Sequence, residues 1–221
     1  MYRRGLPCGA GPFSYHRLMS EPKAVATEAE EILPGLWHWH LQDDRIGGFV
    51  SSSHALRTDQ GTVLVDPLPL VPEALAVLGD VAAICLTTSS HQRSSWRLRR
   101  ELDVQVYVPA LVREAEEEPD VRYSEGDRLP GDLHAIFTPG AGTTQHTLLL
   151  EREGGIAFAP DLFARPPGEP LQMTPAEYMH DPEEARRSAK KLLDYELEVL
   201  CHGHGAPVVG GVKDAIRAAL D

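Results

Sequence analysis

Short apolar runs bounded by turn residues dominate this chain, and helical spacing enters between them. Residues 32–41 read as a first strand. Residues 46–56 and 62–66 are β-rich and flank Thr58-Asp59-Gln60-Gly61, a hairpin turn. The run Val63-Leu64-Val65 is continuous rather than alternating and is closed by Asp66-Pro67. Such runs suit strands buried on both faces. Residues 72–78 predict a short helix.

The pattern then alternates. A strand over 81–86, a helix over 94–102, a strand over 104–108 and a helix over 110–118 make a βαβα rhythm. That rhythm implies a parallel or mixed sheet under helical cover. Glu114, Glu116, Glu117, Glu118 and Asp120 mark a solvated helix end. Beyond residue 127 the texture returns to strands: Leu133 to Phe137, Thr147 to Glu151 and Ile156 to Ala159, separated by glycine-bearing turns. Residues 164–175 are proline-rich and read as a loop. Asp181-Pro182-Glu183-Glu184 is a helix start, with Asp181 as cap, Pro182 at the first helical position and Glu184 placed to close a capping box. Ala185, Ala189, Leu192 and Leu193 form one apolar stripe behind it. A strand over 197–201 and a helix over 211–220 finish the chain. Two packed sheets with helices outside satisfy this order.

Length and composition narrow the class. A chain of 221 residues buries a core without staples, and its 42% hydrophobic and 24% charged content is ordinary for a globular protein. A net charge of −12 argues against nucleic acid and against an anionic membrane surface. No apolar stretch approaches the roughly 18 residues that span a bilayer. Three widely spaced cysteines are no disulfide framework, so Cys85 and Cys201 are expected as buried thiols and the compartment as the cytoplasm. Gly5, Pro7, Gly9, Gly11 and Pro12 mark residues 1–30 as a flexible extension, with 31–221 as one domain.

Five short segments carry a resemblance. Gly61-Thr62-Val63-Leu64-Val65-Asp66, the loop Thr87 to Arg93, Thr138-Pro139-Gly140-Ala141, Phe158-Ala159-Pro160-Asp161 and Gly203-His204-Gly205-Ala206-Pro207 occur in the order found in the metallo-β-lactamase superfamily, which they resemble. The resemblance implies a four-layer αββα sandwich of two mixed sheets, with a two-zinc site at one sheet edge. It implies that Asp66 orients the metal loop. It also places Thr88, Ser90, Gln92, Arg93 and Ala141 at ligand positions that these side chains leave vacated, while Asp161 and His204 keep theirs. Zinc takes thiolate, imidazole or carboxylate, and a catalytic zinc needs about three protein ligands. The expectation is therefore a degenerate member without the di-zinc centre and without a resident cofactor. It would be non-catalytic, or bind a small molecule or partner in the old cleft.

Other readings stay open. His91 lies at a spacer position and, with Asp161 and His204, can rebuild a site for one zinc, iron or manganese ion. A hydrolase with a mononuclear or metal-free site would use His204, Asp161, His91 and Arg93. A role in a homo-oligomer interface is a third alternative. Arg93 is expected to replace metal charge and pair with Asp161. His146 reads as cross-strand packing, His202 as incidental, and the His38/His40 pair as sheet packing far from the edge. Ser89 or Ser90 beside His91 makes a weak nucleophile, and His54 lies among Ser51, Ser52 and Ser53 without a triad geometry.

Overall fold

The computed structural model describes residues 21–152 and 154–221. The first sheet runs β1 (Glu30–Leu33), β2 (Leu36–Asp43), β3 (Phe49–Thr58), β4 (Gly61–Val65), β5 (Val81–Cys85), β6 (Gln105–Pro109) and β7 (Val121–Tyr123), each strand beside the next. Pairing is antiparallel from β1 to β4 and parallel from β4 to β7. The parallel crossovers carry α1 (Pro72–Val77) and α2 (Ser95–Leu102).

The second half supplies β8 (Arg128–Leu129), β9 (Leu133–Phe137), β10 (His146–Leu150), β11 (Ile156–Phe158), β12 (Phe163–Arg165), β13 (Gln172–Met173), α3 (Pro182–Lys191), β14 (Val199–Cys201), β15 (His204–Gly205), β16 (Val208–Val209) and α4 (Val212–Leu220). Its main sheet is ordered β16-β14-β11-β10-β9-β8, and β13-β12-β15 make a small third sheet.

Period-two alternation explains the layers. On β4, Val63 and Val65 face a core that also holds Cys85, Leu148, Leu150, Phe158 and Cys201, between the two sheets. Leu64, between them in sequence, faces Trp37, Trp39, Ile84, Trp96 and Leu98 under α1 and α2. On β10, Leu149 points the other way from its neighbours, to Ala185, Ala189, Ile216 and Leu220 of α3 and α4. Both central strands are thus buried on both faces, and three apolar layers separate four structural ones. This is the αββα sandwich expected.

Asp181 caps α3 as anticipated, its Oδ1 accepting from Glu184 N at 2.9 Å with Pro182 in the first turn. Four expectations need correction. The single strand over 32–41 is a hairpin, because Pro34-Gly35 turns the chain with Gly35 at φ 81° and pairs β1 with β2. The helix over 110–118 does not form. There the Gln92 side chain bonds Glu114 O and Glu116 N, and Arg99 holds Asp120 at 2.6 Å and Glu117 at 3.6 Å. The acidic run is an ion-paired loop against α2. The loop over 164–175 contains parts of β12 and β13. The extension expected over 1–30 lies outside the described residues up to 20. Within 21–30, Ala26 is buried and exchanges backbone bonds with Pro69 and Val71, so ordered packing begins before residue 31.

Candidate functional site

The site gathers at one edge, where β4, β5, β11 and β15 end or begin. Asp66 follows β4 with φ 49°, a left-handed conformation that costs a non-glycine residue about 1–3 kcal/mol. Its carboxylate accepts three hydrogen bonds. Thr87 N donates to Oδ1 at 2.8 Å, Thr87 Oγ1 donates to Oδ2, and His91 Nδ1 donates to Oδ2 at 2.9 Å. The resemblance anticipated this orienting role. His91 was expected either as a ligand or as a backbone-bonded loop residue. Its ring joins two carboxylates rather than backbone groups, with Nε2 at 3.0 Å from Asp161 Oδ1.

His204 completes the cluster. Its Nδ1 donates to Val50 O at 2.9 Å, and its Nε2 lies 3.2 Å from the same Asp161 Oδ1. Ser90 Oγ donates to Asp161 Oδ2 at 3.4 Å. His91, Asp161 and His204 offer ligand atoms that all lie within 4.8 Å of one another. Gly203 makes room for them. A Cβ there would sit 2.9 Å from His91 Cε1 and from Pro160 O, and 3.1 Å from Asp161 Oδ1.

The expected Arg93–Asp161 pair is not the contact made. Arg93 is 3% exposed, and its Nη1 donates to Ser52 O at 2.6 Å, Asp66 O at 3.0 Å and Ser53 Oγ at 3.4 Å. Those carbonyls lie on β3 and at the end of β4, so the guanidinium ties the loop to the sheet rather than to the carboxylate. The imidazoles of His91 and His204 take Asp161 instead. Arg93 also carries φ 42°, a second strained backbone beside the first. Gln92 is likewise consumed, bonding Ser89 O, Glu114 O, Glu116 N and Trp96 Nε1. Thr88 is buried, and Ala141 contributes a backbone carbonyl to His180 N at 3.2 Å. Gly140 beside it has φ 122°, and a Cβ there would collide with Ala185 N, so the Thr-Pro-Gly turn packs directly on α3.

Charge follows geometry. Burial and the Arg93 charge pull the His91 imidazole down, but Asp161 and Asp66 outweigh them, and its pKa is raised. Burial raises Asp161, yet His91 and His204 hold it well below the carboxylate range. Burial lowers Arg93 while Asp66 and Asp161 oppose it. Two carboxylates against one guanidinium leave a deficit of one positive charge, and a proton on His91 removes it.

A two-metal centre does not fit these residues. Arg93 presents a fixed cation within the ligand loop. Thr88, Ser90, Gln92 and Ala141 offer no thiolate, imidazole or carboxylate.

A second histidine group was not legible in the sequence. His38 and His54 face each other across β2 and β3, with ring centroids 5.3 Å apart, and His40 stacks on His38 at 5.4 Å. His202 lines the same small void as His54. His38 Nε2, His54 Nε2 and His202 Nδ1 are buried without hydrogen-bond partners among the described residues. Burial drives all three down: His38 to about 4, His202 to about 3 and His54 well below its ordinary value. The expectation that His38 lies far from the edge needs correction, because its neighbour His54 lines a void of about 10 Å³ together with Asp66, Thr87 and His202. Such a void has room for one water molecule. His146 packs between Tyr123 and Phe137, at 5.3 and 5.1 Å.

No family profile and no curated protein matches the chain. Solved structures do. A metallo-β-lactamase family protein from Thermus thermophilus superposes with TM-score 0.62 at 18% identity, over 85% of this chain and 79% of that one. A metallo-β-lactamase from Erythrobacter litoralis with β-mercaptoethanol in its active site gives 0.66 at 16% identity, over 87% and 94%. A metallo-β-lactamase superfamily protein from the archaeon Sulfolobus tokodaii gives 0.60 at 14%, over 77% and 78%. With three apolar layers, a parallel-antiparallel sheet pair and these superpositions, the chain has the metallo-β-lactamase fold.

Proposed function

We propose that this protein is a metallo-β-lactamase-fold protein without the two-metal hydrolytic centre, which acts by binding a small ligand at the sheet edge. One observation carries the reading: Arg93 Nη1 and the Gln92 amide, at vacated ligand positions, are engaged in holding the loop to backbone carbonyls. A hydroxide generated between two metals requires open coordination positions there. This loop gives them to a guanidinium and an amide.

A second reading has its own support. His91, Asp161 and His204 converge as a rebuilt hydrolytic site would require. Turnover separates the two. Purified protein is expected to contain fewer than two metal ions per chain by elemental analysis. It is also expected to leave lactam, lactone, thioester and phosphodiester substrates intact above the buffer rate. Two ions per chain with turnover overturns the proposal. Turnover at one ion or none establishes the second reading.

A further inference from the structure

The layer between the sheets has two ends. Segments after β4, β5, β11 and β14 close one of them with the His91 cluster. The other lies where β4 and β11 begin, because Leu56 and Arg57 of β3 pair with Val63 and Thr62, and Leu150 of β10 pairs with Ile156. Among the described residues no helix covers that end: α1 and α2 pack on the outer face of the first sheet, α3 and α4 on the outer face of the second. A cleft of about 360 Å³ opens there. Its walls are Leu33 and Leu36 from the β1–β2 hairpin, Leu56 from β3, and Leu150 and Ile156 from the β10–β11 hairpin. Leu36, Leu56, Leu150 and Ile156 belong to the apolar layer between the sheets, and Leu33 packs on it. The cleft is therefore the open end of that core, with a volume in the range of small-molecule pockets.

The mouth carries charge of mostly one sign. Glu31, Arg57 and Arg152 are its ionisable groups. Glu31 is turned to the hairpin, its Oε1 accepting from Gly35 N at 2.8 Å. Arg57 lies over the Trp37 ring, 4.7 Å from its centroid, and donates to Leu78 O at 3.5 Å. Arg152 is exposed and has no ion pair or side-chain hydrogen bond among the described residues. Two guanidiniums against one carboxylate make a locally positive rim on a chain of net charge −12. Arg152 is the uncommitted cation of that rim. From this combination we infer that the cleft binds a free amphipathic monocarboxylate of the medium-chain fatty-acid class. The tail extends the leucine-lined layer and leaves water. The carboxylate pairs with the Arg152 guanidinium, whose planar fork suits that geometry. A neutral or cationic amphiphile of the same length lacks this anchor. The cleft is separate from the sheet edge and does not rest on the reading given to that edge.

The test is calorimetric titration of the full-length protein with decanoate, kept below its micelle concentration. Saturable binding of one decanoate per chain is expected. Decan-1-ol and decylammonium are expected to bind more weakly. Arg152→Ala is expected to weaken decanoate about fivefold, the scale of one exposed ion pair. Leu33→Asp puts a carboxylate in the mouth and is expected to abolish binding. Circular dichroism shows whether that variant folds, and the exposed Arg152→Ala decides the matter if it does not. Equal affinity for decan-1-ol, or unaltered decanoate affinity in Arg152→Ala, overturns the proposal. Absence of saturable decanoate binding overturns it as well. Affinity lost in His204→Ala but kept in Arg152→Ala places decanoate at the sheet edge, which overturns the cleft and leaves the proposed function standing.

Discussion

His91 and His54 are almost equally sequestered, at 5% and 4% exposure, yet their environments drive them to opposite charge states. His91 has a carboxylate oxygen at each ring nitrogen and is favoured as the imidazolium. His54 faces His38, His202 and the Arg93 charge, has a partnerless Nε2, and is favoured neutral. Burial penalises the charged form in both cases. What differs is whether the fold delivers a counter-charge. Strand ends deliver Asp66 and Asp161 to one ring, while the pleat of β2 and β3 delivers only other imidazoles to the second. The edge is electrostatically coupled; the adjacent interior is a set of neutral polar groups sealed between sheets.

The strongest way to break this contrast is to remove the shared counter-charge. Asp66→Asn keeps the shape and tolerates a left-handed backbone, but takes from His91 the charge of one of its two carboxylate partners. A loss of about 3–5 kcal/mol is expected in chemical denaturation, as for other broken buried pairs. A loss below about 1 kcal/mol would mean the counter-charge does not distinguish the two regions.

Acid should act on the interior group next. Burial pushes His38 down to about 4 in the folded chain from its ordinary 6.5 when unfolded, and holds His54 well below that ordinary value too. The unfolded chain therefore binds more protons between those values. The stability due to keeping these rings neutral is complete above about pH 6.5 and declines as pH falls toward 4 and below. The slope is up to about 1.4 kcal/mol per pH unit for each ring. Denaturation midpoints measured from pH 8 to 4 check it, and a flat profile refutes it. His54→Leu sharpens the point. Removing a partnerless nitrogen should change stability at pH 8 by less than about 1.5 kcal/mol while removing that ring's share of the acid slope. Asp181→Ala, remote from both regions, sets the smallest reference. It deletes the α3 cap and should cost about 1 kcal/mol at every pH above the carboxylate range, read as a uniform shift in melting temperature.

Much of the sandwich was legible because its signals are local. Continuous runs such as Val63-Leu64-Val65 announce strands buried on both faces, and Asp181-Pro182 announces a helix start. The failures were non-local. Nothing in residues 110–118 says that the Gln92 side chain will take the bonds a helix there would make. Nothing in Pro34-Gly35 fixes whether the chain bends or turns back. In the site, Asp66, Asp161 and His204 were visible through short motifs, and His91 was in view as an alternative ligand. The Arg93 contact was misassigned because carbonyls carry no sequence signature: Ser52 O and Asp66 O compete with a carboxylate only once β3 and β4 are side by side. The His38–His54 pair needed the register of the β2–β3 hairpin.

Cys85 and Cys201 sit in the same inter-sheet layer, one contributed by each sheet, and burial pushes both thiols up. A reagent that attacks thiolates reaches neither from solvent without parting the sandwich. In a Cys8→Ser variant, modification of these two sulfurs thus becomes a clock for separation of the two halves. Fraying at the loops would leave it unticked.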